Sequence, residues 1–357
     1  MKNISGKHLK IFARAVLTAT GSSSYEADIV AEHLVQSNLA GHDSHGIGMI
    51  PAYLNSIRNN ALVPDAERQQ VLDHGAMMVF DGGRGYGQRL AKEAMATAIE
   101  RCRENGLVFM GLRNAHHMGR IGSYGEQAIA AGFVSLHFVN VVDHRPLVAP
   151  FRGTAARYST NPICLAMPAK AEGSPILLDM ATSRTALGKV RVAMNKGEQM
   201  AAGILYDGVG KASTDPSVMF TEPFGAITAL GDYKGYGIAF FCELLAGVLT
   251  GGGTIQPENP KIGGIVNHMA TILIDPQRLI DYQWMEQEIA ALVSYVKSAP
   301  ADDSALPVLV AGEPEMIARA QRAEKGIPVD DTTCDQLIAA AQEAGVVRPD
   351  AEELLGL

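Results

Sequence analysis

Helical periodicity occupies both ends of the chain, and strands, glycine-rich turns and shorter helices alternate between those ends. Apolar side chains repeat at helical spacing over residues 7–20, and Ser23 with Glu26 forms a capping box that predicts a second helix. The pattern becomes helical again beyond Asp281, where a proline-bearing linker leads to a last helix over about residues 333–344. This order predicts a helical domain built from both chain ends and interrupted by an α/β domain.

The middle of the chain contains a strand-loop-helix-strand unit. A glycine-rich stretch, residues 81–87, leads into a helix over about residues 90–105, and a strand over residues 107–112 follows. Residues 113–119 form a loop with two histidines, before a short helix and a buried strand at residues 133–140. We place the domain boundaries where the texture changes: residues 1–76 with 282–357 for the helical domain, and 77–281 for the α/β domain.

The composition is that of an ordinary globular protein with an acidic balance. Hydrophobic residues make up 47% of the chain, and the formal net charge of −8 gives no positive field to hold nucleic acid or an anionic membrane. The most apolar window, residues 238–249, contains Glu243 and is about half the length that a bilayer requires. The sequence pattern predicts no signal peptide. The four cysteines are widely spaced and form no C-x-x-C pair, which favours free thiols in a reducing cytoplasm.

The familiar nucleotide motifs are not present in the sequence. A dinucleotide fingerprint could begin at Gly83, but Gln88 stands where its third glycine is required. The sequence does not match the phosphate-binding loop of an NTPase, because Ala212 follows Lys211 where that motif requires Ser or Thr. No H-E-x-x-H or comparable ligand spacing predicts a metal site. Any nucleotide must therefore be held in another way.

Four polar clusters in glycine-rich settings remain as candidates for chemistry. They suit the reduction of a carbonyl group, because a hydride that arrives at carbon needs a proton at oxygen, and histidine titrates near the working pH. Arginine pairs both oxygens of a carboxylate, and lysines at helix N-termini can hold a pyrophosphate. The clusters are Asp43–Gly46, His116–Arg120, Asp179–Ser183 with Gly188 and Lys189, and Lys234–Gly237.

Each cluster also has a plainer interpretation. His45 or His117 could be a surface or helix-capping histidine, and Ser44 belongs to a natural N-cap. Lys189 and Lys234 would ordinarily be solvated side chains. From motif logic alone, the sequence leads no further than an α/β enzyme.

Six motifs, taken together and in order, go further. They are His42–Gly46, Asn114–Gly119, Thr160–Pro162, Asp179–Ser183, Gly188–Lys189 and Lys234–Ala239. In this order they resemble the malate/L-lactate dehydrogenase family of type 2, over about residues 7–329. Residues 41–51 and 116–122 look most like the hydroxycarboxylate dehydrogenase B branch of that family.

The resemblance implies a fold, a reaction and an assembly. The α/β class would be a non-Rossmann NAD(P)-binding domain on a mixed, largely antiparallel sheet, with the helical domain serving substrate binding and dimerisation. The implied enzyme is a homodimer that uses NAD or NADP to interconvert 2-oxo and 2-hydroxy acids, including aromatic or bulky ones. Two alternatives stay open: reduction of cyclic 2-imino acids, and a nucleotide-binding protein without turnover. The sequence does not decide between NAD and NADP.

The resemblance also implies roles for individual residues. His117 matches the family's acid/base histidine, and Ser44 with His45 matches the serine-histidine pair at the substrate pocket. In the reduction, protonated His117 would donate to the carbonyl oxygen while Ser44 orients the substrate. The cofactor contacts would be Asn140, Thr160, Asn161, Pro162, Asp179, Met180, Ala181, Lys189 and Lys234.

One position departs from the family pattern. Many members carry an arginine where this chain has Met49, and that arginine is a good candidate for the clamp on the substrate carboxylate. We expect Arg120 to restore the missing charge, with Met49 and Tyr53 lining the substrate pocket. The alternative is that Arg120 merely lies on the surface of the following helix.

Overall fold

A seven-stranded sheet lies at the centre of the computed structural model, which describes residues 1–171 and 174–357. Its order is β2-β3-β4-β11-β5-β6-β7, with one parallel pair, β3 with β4, among antiparallel neighbours. The predicted mixed, largely antiparallel sheet is confirmed. The strands are β1 (Lys2–Ile4), β2 (Gln69–His74), β3 (Met77–Asp81), β4 (Leu107–His116), β5 (Val134–Val142), β6 (Ile163–Ala171), β7 (Ser174–Met180), β8 (Leu205–Tyr206), β9 (Ala212–Ser213), β10 (Ala226–Ile227), β11 (Val266–Ile274) and β12 (Ile327–Val329).

Helices cover the sheet and form a separate layer at the chain ends. Short 3₁₀ segments occur at Asp43–His45, Ile47–Met49, Pro216–Met219 and Pro276–Arg278, and a π-helical segment at Glu243–Val248. The α-helices are α1 (Gly6–Ala19), α2 (Ser24–Leu39), α3 (Ile50–Arg58), α4 (Gly87–Asn105), α5 (Gly122–Ala130), α6 (Leu187–Lys196), α7 (Tyr233–Cys242), α8 (Tyr282–Lys297), α9 (Glu313–Lys325), α10 (Asp331–Glu343) and α11 (Arg348–Leu355).

Both ends of the chain build one helical core, as the sequence predicts. Strand β1 pairs with β12, so that Lys2 faces Val329 across a two-stranded ladder. The helices around this ladder bury their apolar stripes against one another, each buried leucine or phenylalanine contributing about 1.5–3 kcal/mol. Members of this core from both ends include Leu9, Phe12, Leu34, Leu337 and Leu355.

The glycine-rich stretch before α4 runs beside β4 instead of forming a nucleotide loop. The Gly82 N–H donates to Arg113 O at 2.8 Å, and the His116 N–H donates to Gly85 O at 2.9 Å. This partner extends β4 to His116, so the predicted loop over residues 113–119 is wrong in its first half. Helix α4 can begin at Gly87 because a Cβ at that residue would lie 2.0 Å from His116 O.

Two elements bear on the predicted domain boundaries, which stay a prediction. Strand β2 precedes residue 77 yet pairs with β3 at the edge of the central sheet. Helix α8 follows residue 281 yet lies against the same sheet, where Tyr282 Oη donates to Pro168 O at 3.4 Å. Helix α9 lies where the sequence predicts a proline-bearing linker, so that prediction is wrong over Glu313–Lys325. The proline lies in the first turn of the helix, where it is tolerated. Among the described residues, no helix is long and apolar enough to cross a membrane.

Candidate active site

His117 lies at the centre of a histidine and tyrosine cluster just beyond the end of β4. Its side chain is buried, with the residue 7% exposed. The His117 Nδ1 atom is 2.7 Å from the hydroxyl oxygen of Tyr53, and its Nε2 atom is 3.1 Å from Nδ1 of His45. The His45 and His117 rings stack at 5.3 Å with 15° between their planes. The structure therefore brings together three residues that the sequence predicts for the site.

The helical layer supplies two of these three side chains. Tyr53 projects from α3, and His45 ends the 3₁₀ segment that joins α2 to α3. Asn38 fixes this segment, because its Nδ2 donates to Asp43 Oδ1 at 2.7 Å and its Oδ1 accepts from Ile47 N at 2.8 Å. Since His117 comes from the sheet, the site lies at the junction between the two layers.

The histidines of the cluster are neutral near pH 7. Burial, followed by the nearby His45, His116, His33 and His144, holds the pKa of His117 well below 6.5. Burial also lowers the pKa of His45 to about 4, with His42 and Arg120 adding to the effect. An anionic ligand in the cleft would raise these lowered pKa values, because an opposite charge within about 4–6 Å favours the protonated form of histidine.

Arg120 is buried beside two carboxylates. The side chain is 1% exposed, so the alternative of an arginine on a helix surface is excluded. Its Nη1 donates to Glu126 Oε1 at 2.8 Å, and its Nε lies 3.5 Å from Asp179 Oδ2. Burial alone would lower the pKa of Arg120, but Glu126 and Asp179 raise it. Its role as substrate clamp stays a prediction, since this guanidinium already has two anionic neighbours.

The other predicted substrate residues are placed as follows. Ser44 lies beside α6, where a Cβ built on Gly188 would be 2.9 Å from Cβ of Ser44. Met49 is partly buried against the helical core, and Tyr53 is completely buried. Tyr53 therefore reaches the site through its hydroxyl group on His117. Its predicted direct contact with substrate and that of Met49 stay predictions.

Predicted cofactor residues converge at the ends of β6 and β7. The Thr182 N–H donates to Thr160 O at 3.0 Å, and the Thr182 hydroxyl donates to Asn161 O at 3.0 Å. The Leu230 N–H, just before α7, donates to Thr182 O at 2.9 Å. The structure thus gathers the segments of five predicted residues: Thr160, Pro162, Met180, Ala181 and Lys234.

Asp179, Asn140 and Asn161 have protein partners of their own. Asp179 Oδ2 accepts from Gly122 N, at the start of α5, at 2.8 Å. The Nδ2 atoms of Asn140 and Asn161 donate to the carboxylate of Glu243 at 3.1 and 2.8 Å. Burial raises the pKa of both Asp179 and Glu243. Direct cofactor contact by these three residues stays a prediction.

Two helix starts near these segments fit the phosphates of a dinucleotide. Lys189 lies in the first turn of α6 and Lys234 in the first turn of α7. Neither helix has a side-chain cap, although the Lys234 and Gly235 N–H groups of α7 donate to Gly231 O and Leu230 O at 3.2 and 2.7 Å. Both lysines are exposed and have no carboxylate partner among residues 1–171 and 174–357. This donor set fits NAD or NADP.

Several residues of the site were not found by sequence reasoning. Gln88 contacts Tyr53, and its only signal was that it breaks a glycine fingerprint. Glu243 was noted only as a charge that interrupts an apolar window. The remaining ones had no sequence signal because partners distant in the chain define them: His33, Glu126, His144 and Glu315.

A buried histidine pair can exchange a proton with a reacting carbonyl, and lysines at helix starts can meet phosphates. Both fit a nicotinamide-dependent oxidoreductase that lacks the Rossmann fingerprint. A family model described as Malate/L-lactate dehydrogenase matches residues 4–338. The chain belongs to the malate/L-lactate dehydrogenase family, as the motifs predicted. It is an NAD(P)-dependent dehydrogenase that interconverts 2-oxo and 2-hydroxy acids.

Individual relatives are similar in sequence to this protein over nearly its whole length. The chain is 43% identical to hydroxycarboxylate dehydrogenase B of Escherichia coli (strain K12), covering 95% of this chain and 93% of the relative. It is 41% identical to an L-lactate dehydrogenase of Cupriavidus necator, with 95% and 97% coverage. A solved structure from E. coli described as a malate/lactate dehydrogenase superposes with a TM-score of 0.94 at 40% identity, covering 100% and 99%.

Proposed function

We propose that His117 is the acid/base group of the reaction and that His45 shares its proton. The observation that carries this proposal is the short contact between the two rings, 3.1 Å from His45 Nδ1 to His117 Nε2. Tyr53 occupies the other ring nitrogen of His117, so proton exchange with the cleft takes place at Nε2. His45 is the more exposed of the two rings and faces that exchange.

In the reduction, the substrate oxygen replaces His45 as the acceptor of the His117 Nε2 proton. The nicotinamide, when bound, supplies the hydride to the substrate carbon. The substrate carboxylate raises the low pKa of His117 and so loads it with the proton that it donates. In the oxidation, Nε2 of neutral His117 accepts the hydroxyl proton while the Tyr53 oxygen holds the proton on Nδ1, and Ser44, beside α6, orients the ligand.

Among 2-oxo acids, we propose that the preferred substrates carry bulky or aromatic side chains. Met49 stands where many family members carry an arginine, and as the predicted lining of the pocket it would offer an apolar side chain instead of a charge. A panel of pyruvate, oxaloacetate and phenylpyruvate, run with NADH and with NADPH, tests this choice. A cyclic 2-imino acid belongs in the same panel, although the family relatives favour oxo acids over that alternative. Faster turnover of oxaloacetate than of phenylpyruvate would overturn the proposed preference.

We also propose a cytoplasmic homodimer without nucleic-acid or membrane partners. Helix α7 and the π-helical segment after it expose a continuous apolar face, which includes Phe240, Phe241, Val248 and Leu249. Large exposed apolar faces mark sites of association. The face follows Lys234, so a second copy would sit next to the proposed cofactor site.

Replacement of His117 with Ala tests the proposed role. We expect turnover to fall by about 10²- to 10⁴-fold, the usual contribution of one positioned acid/base group. Because His117 lies on the substrate side of the site, affinity for NADH, followed by fluorescence titration, should stay within about twofold of the wild type. Loss of NADH binding with intact folding would contradict an acid/base role.

A further inference from the structure

Tyr53 has a second neighbour besides His117, the carboxamide of Gln88. Nε2 of Gln88 lies 2.6 Å from the hydroxyl oxygen of Tyr53, which itself lies 2.7 Å from His117 Nδ1. Gln88 and Tyr53 are both fully buried, so water does not compete for these contacts. Gln88 is therefore connected to the acid/base histidine without being able to touch a ligand in the cleft.

Backbone packing explains why Gln88 can reach this place. It is the second residue of α4, and the preceding Gly87 lies against the backbone of His116 and His117. A Cβ at Gly87 would lie 2.0 Å from His116 O and 2.8 Å from His117 O. Any other residue there would move α4 away from the histidines. The glycine thus holds Gln88 behind Tyr53.

With the carboxamide as placed, the hydrogen atoms along Gln88, Tyr53 and His117 have one consistent arrangement when His117 is neutral. An amide nitrogen only donates, so the Tyr53 oxygen accepts from Gln88 Nε2 and the Tyr53 O–H donates to His117 Nδ1. Nδ1 then carries no proton, and the proton of neutral His117 sits on Nε2. This is the nitrogen that faces His45.

The arrangement must reverse when His117 is protonated. Its Nδ1–H then donates to the Tyr53 oxygen, and the Tyr53 O–H needs a new acceptor. Oε1 of Gln88 is buried and has no hydrogen-bond partner within the described part of the chain. A half-turn of the carboxamide brings this oxygen to the position of Nε2. One end of the amide is unpaired in either orientation, so the two orientations are close in free energy.

We propose that Gln88 is a positioning residue for proton transfer, whose carboxamide orientation selects the nitrogen that carries the proton of neutral His117. As placed, it holds Tyr53 as donor to Nδ1, and the proton stays on Nε2. Turned over, it lets Tyr53 accept from Nδ1–H and leaves Nε2 free to take the proton of the substrate hydroxyl. The inference rests on the proposed function, because it presupposes His117 as the acid/base group. The other ionisable groups around Gln88, Tyr53 and His117 are His33, His45, His116, His144, Tyr86, Tyr124, Arg120 and Glu26.

The variant Gln88→Glu tests the turning amide. A carboxylate at this position accepts only, so it fixes Tyr53 as an acceptor from charged His117. We expect the acidic midpoint of the kcat/KM profile for the 2-oxo acid to rise by about one pH unit, since a nearby anion shifts a pKa by about 1–3 units. An unshifted profile in the folded variant would overturn the proposal.

The variant Gln88→Met keeps the volume and removes both hydrogen-bonding ends. We expect kcat to fall about tenfold, which corresponds to one lost hydrogen bond of about 1.4 kcal/mol, while KM for the 2-oxo acid changes less than about twofold. Thr271→Val is the matched control, because it removes a buried hydrogen bond to His137 outside the site. An equal loss of kcat in this control would show that Gln88 has only a structural role.

Nitrogen NMR of ¹⁵N-histidine-labelled protein provides a readout that does not need turnover. His117, assigned with a His117→Gln variant, should show a protonated Nε2 and a bare Nδ1 in the wild type at neutral pH. In Gln88→Glu, both nitrogens should stay protonated to higher pH. A bare Nε2 in the wild type contradicts the proposal about Gln88, whereas absence of turnover with any 2-oxo acid contradicts the proposed function instead.

Discussion

Arg120 is a buried cation that depends on its anionic neighbours, as they depend on it. Glu126 and Asp179 accompany it, and the Arg120 N–H of the backbone donates to His33 Nε2 at 3.0 Å. A buried ion pair stabilises little by itself, but removal of one partner leaves an uncompensated charge. Arg120 therefore joins the predicted cofactor residue Asp179 to the histidine cluster, whatever its contact with substrate.

Replacement of Arg120 with Met should lower the free energy of unfolding by about 3–5 kcal/mol, because Asp179 stays buried without its cation. Urea unfolding at pH 7 measures this change. The control is Arg319→Met, which removes the more exposed arginine at Glu126 and should cost less. If Arg120 also clamps the substrate, KM for 2-oxo acids rises strongly. An unchanged KM would remove Arg120 from the pocket.

Sequence reasoning found the reactive side chains better than their surroundings. His117, His45 and Ser44 belong to motifs that occur in order along the chain. The contact between Tyr53 and Gln88, by contrast, joins residues 35 positions apart and depends on how α3 and α4 pack. Spacing along the chain carries no information on such a contact. Partners in a buried network become visible only in three dimensions.

The apolar residues of helix α7 do not form a single stripe. Its mean composition is strongly apolar, yet Phe240 and Phe241 are exposed while Cys242 is buried. The π-helical segment that follows turns Glu243 inward to Asn140 and Asn161. One side of this helical region thus anchors the sheet, and the other is left for a partner.

The substitution Phe241→Glu should convert the proposed dimer to a monomer, because a charge in an apolar interface is desolvated without a counterion. Sedimentation equilibrium at micromolar protein concentration measures the mass. Tyr295→Glu on α8 is the matched control, since Tyr295 is also exposed and aromatic but lies away from α7. Dissociation by Tyr295→Glu alone would place the interface at α8 instead.

Sequence patterns predict whether a segment is a helix or a strand more accurately than they predict the residues at which it begins and ends. The N-cap Ser23 accepts from Glu26 N at 3.3 Å, as the capping box predicts. The reciprocal bond is replaced, because the Glu26 carboxylate binds Arg89 Nε at 2.8 Å and Asp65 N at 2.8 Å. Likewise β4 extends beyond its predicted end because residues 82–85 pair with it. Tertiary partners decided both outcomes.

Buried histidines of the molecule stay neutral because burial lowers their pKa. Burial lowers the pKa of His33, His116 and His137 to about 3, and that of His45 and His268 to about 4. Folded pKa values below the unfolded value of 6.5 mean that only the unfolded chain takes up protons as the pH falls. Stability from these groups is therefore complete above about pH 6.5 and is lost progressively between about pH 6.5 and 3.

The variant His137→Gln isolates one of these histidines outside the site. His137 is fully buried in the sheet between Thr271 and Ser135, at 2.9 Å from each hydroxyl. Between pH 6 and pH 5, the variant should lose about 1.4 kcal/mol less unfolding free energy than the wild type, since one fewer proton is taken up. Urea titrations at both pH values measure this, with exposed His74→Gln as control. An unchanged slope would contradict neutral burial of His137.

The ladder between β1 and β12 has a consequence for how the molecule acquires activity during synthesis. Tyr53 belongs to a core that includes residues from α10 and α11, whereas His117 follows directly on strand β4 of a sheet completed by β11. A growing chain can therefore assemble its sheet while the substrate side of the cleft is still unformed. The substrate side of the cleft can therefore close only after the residues of β12 and α10 have been synthesised.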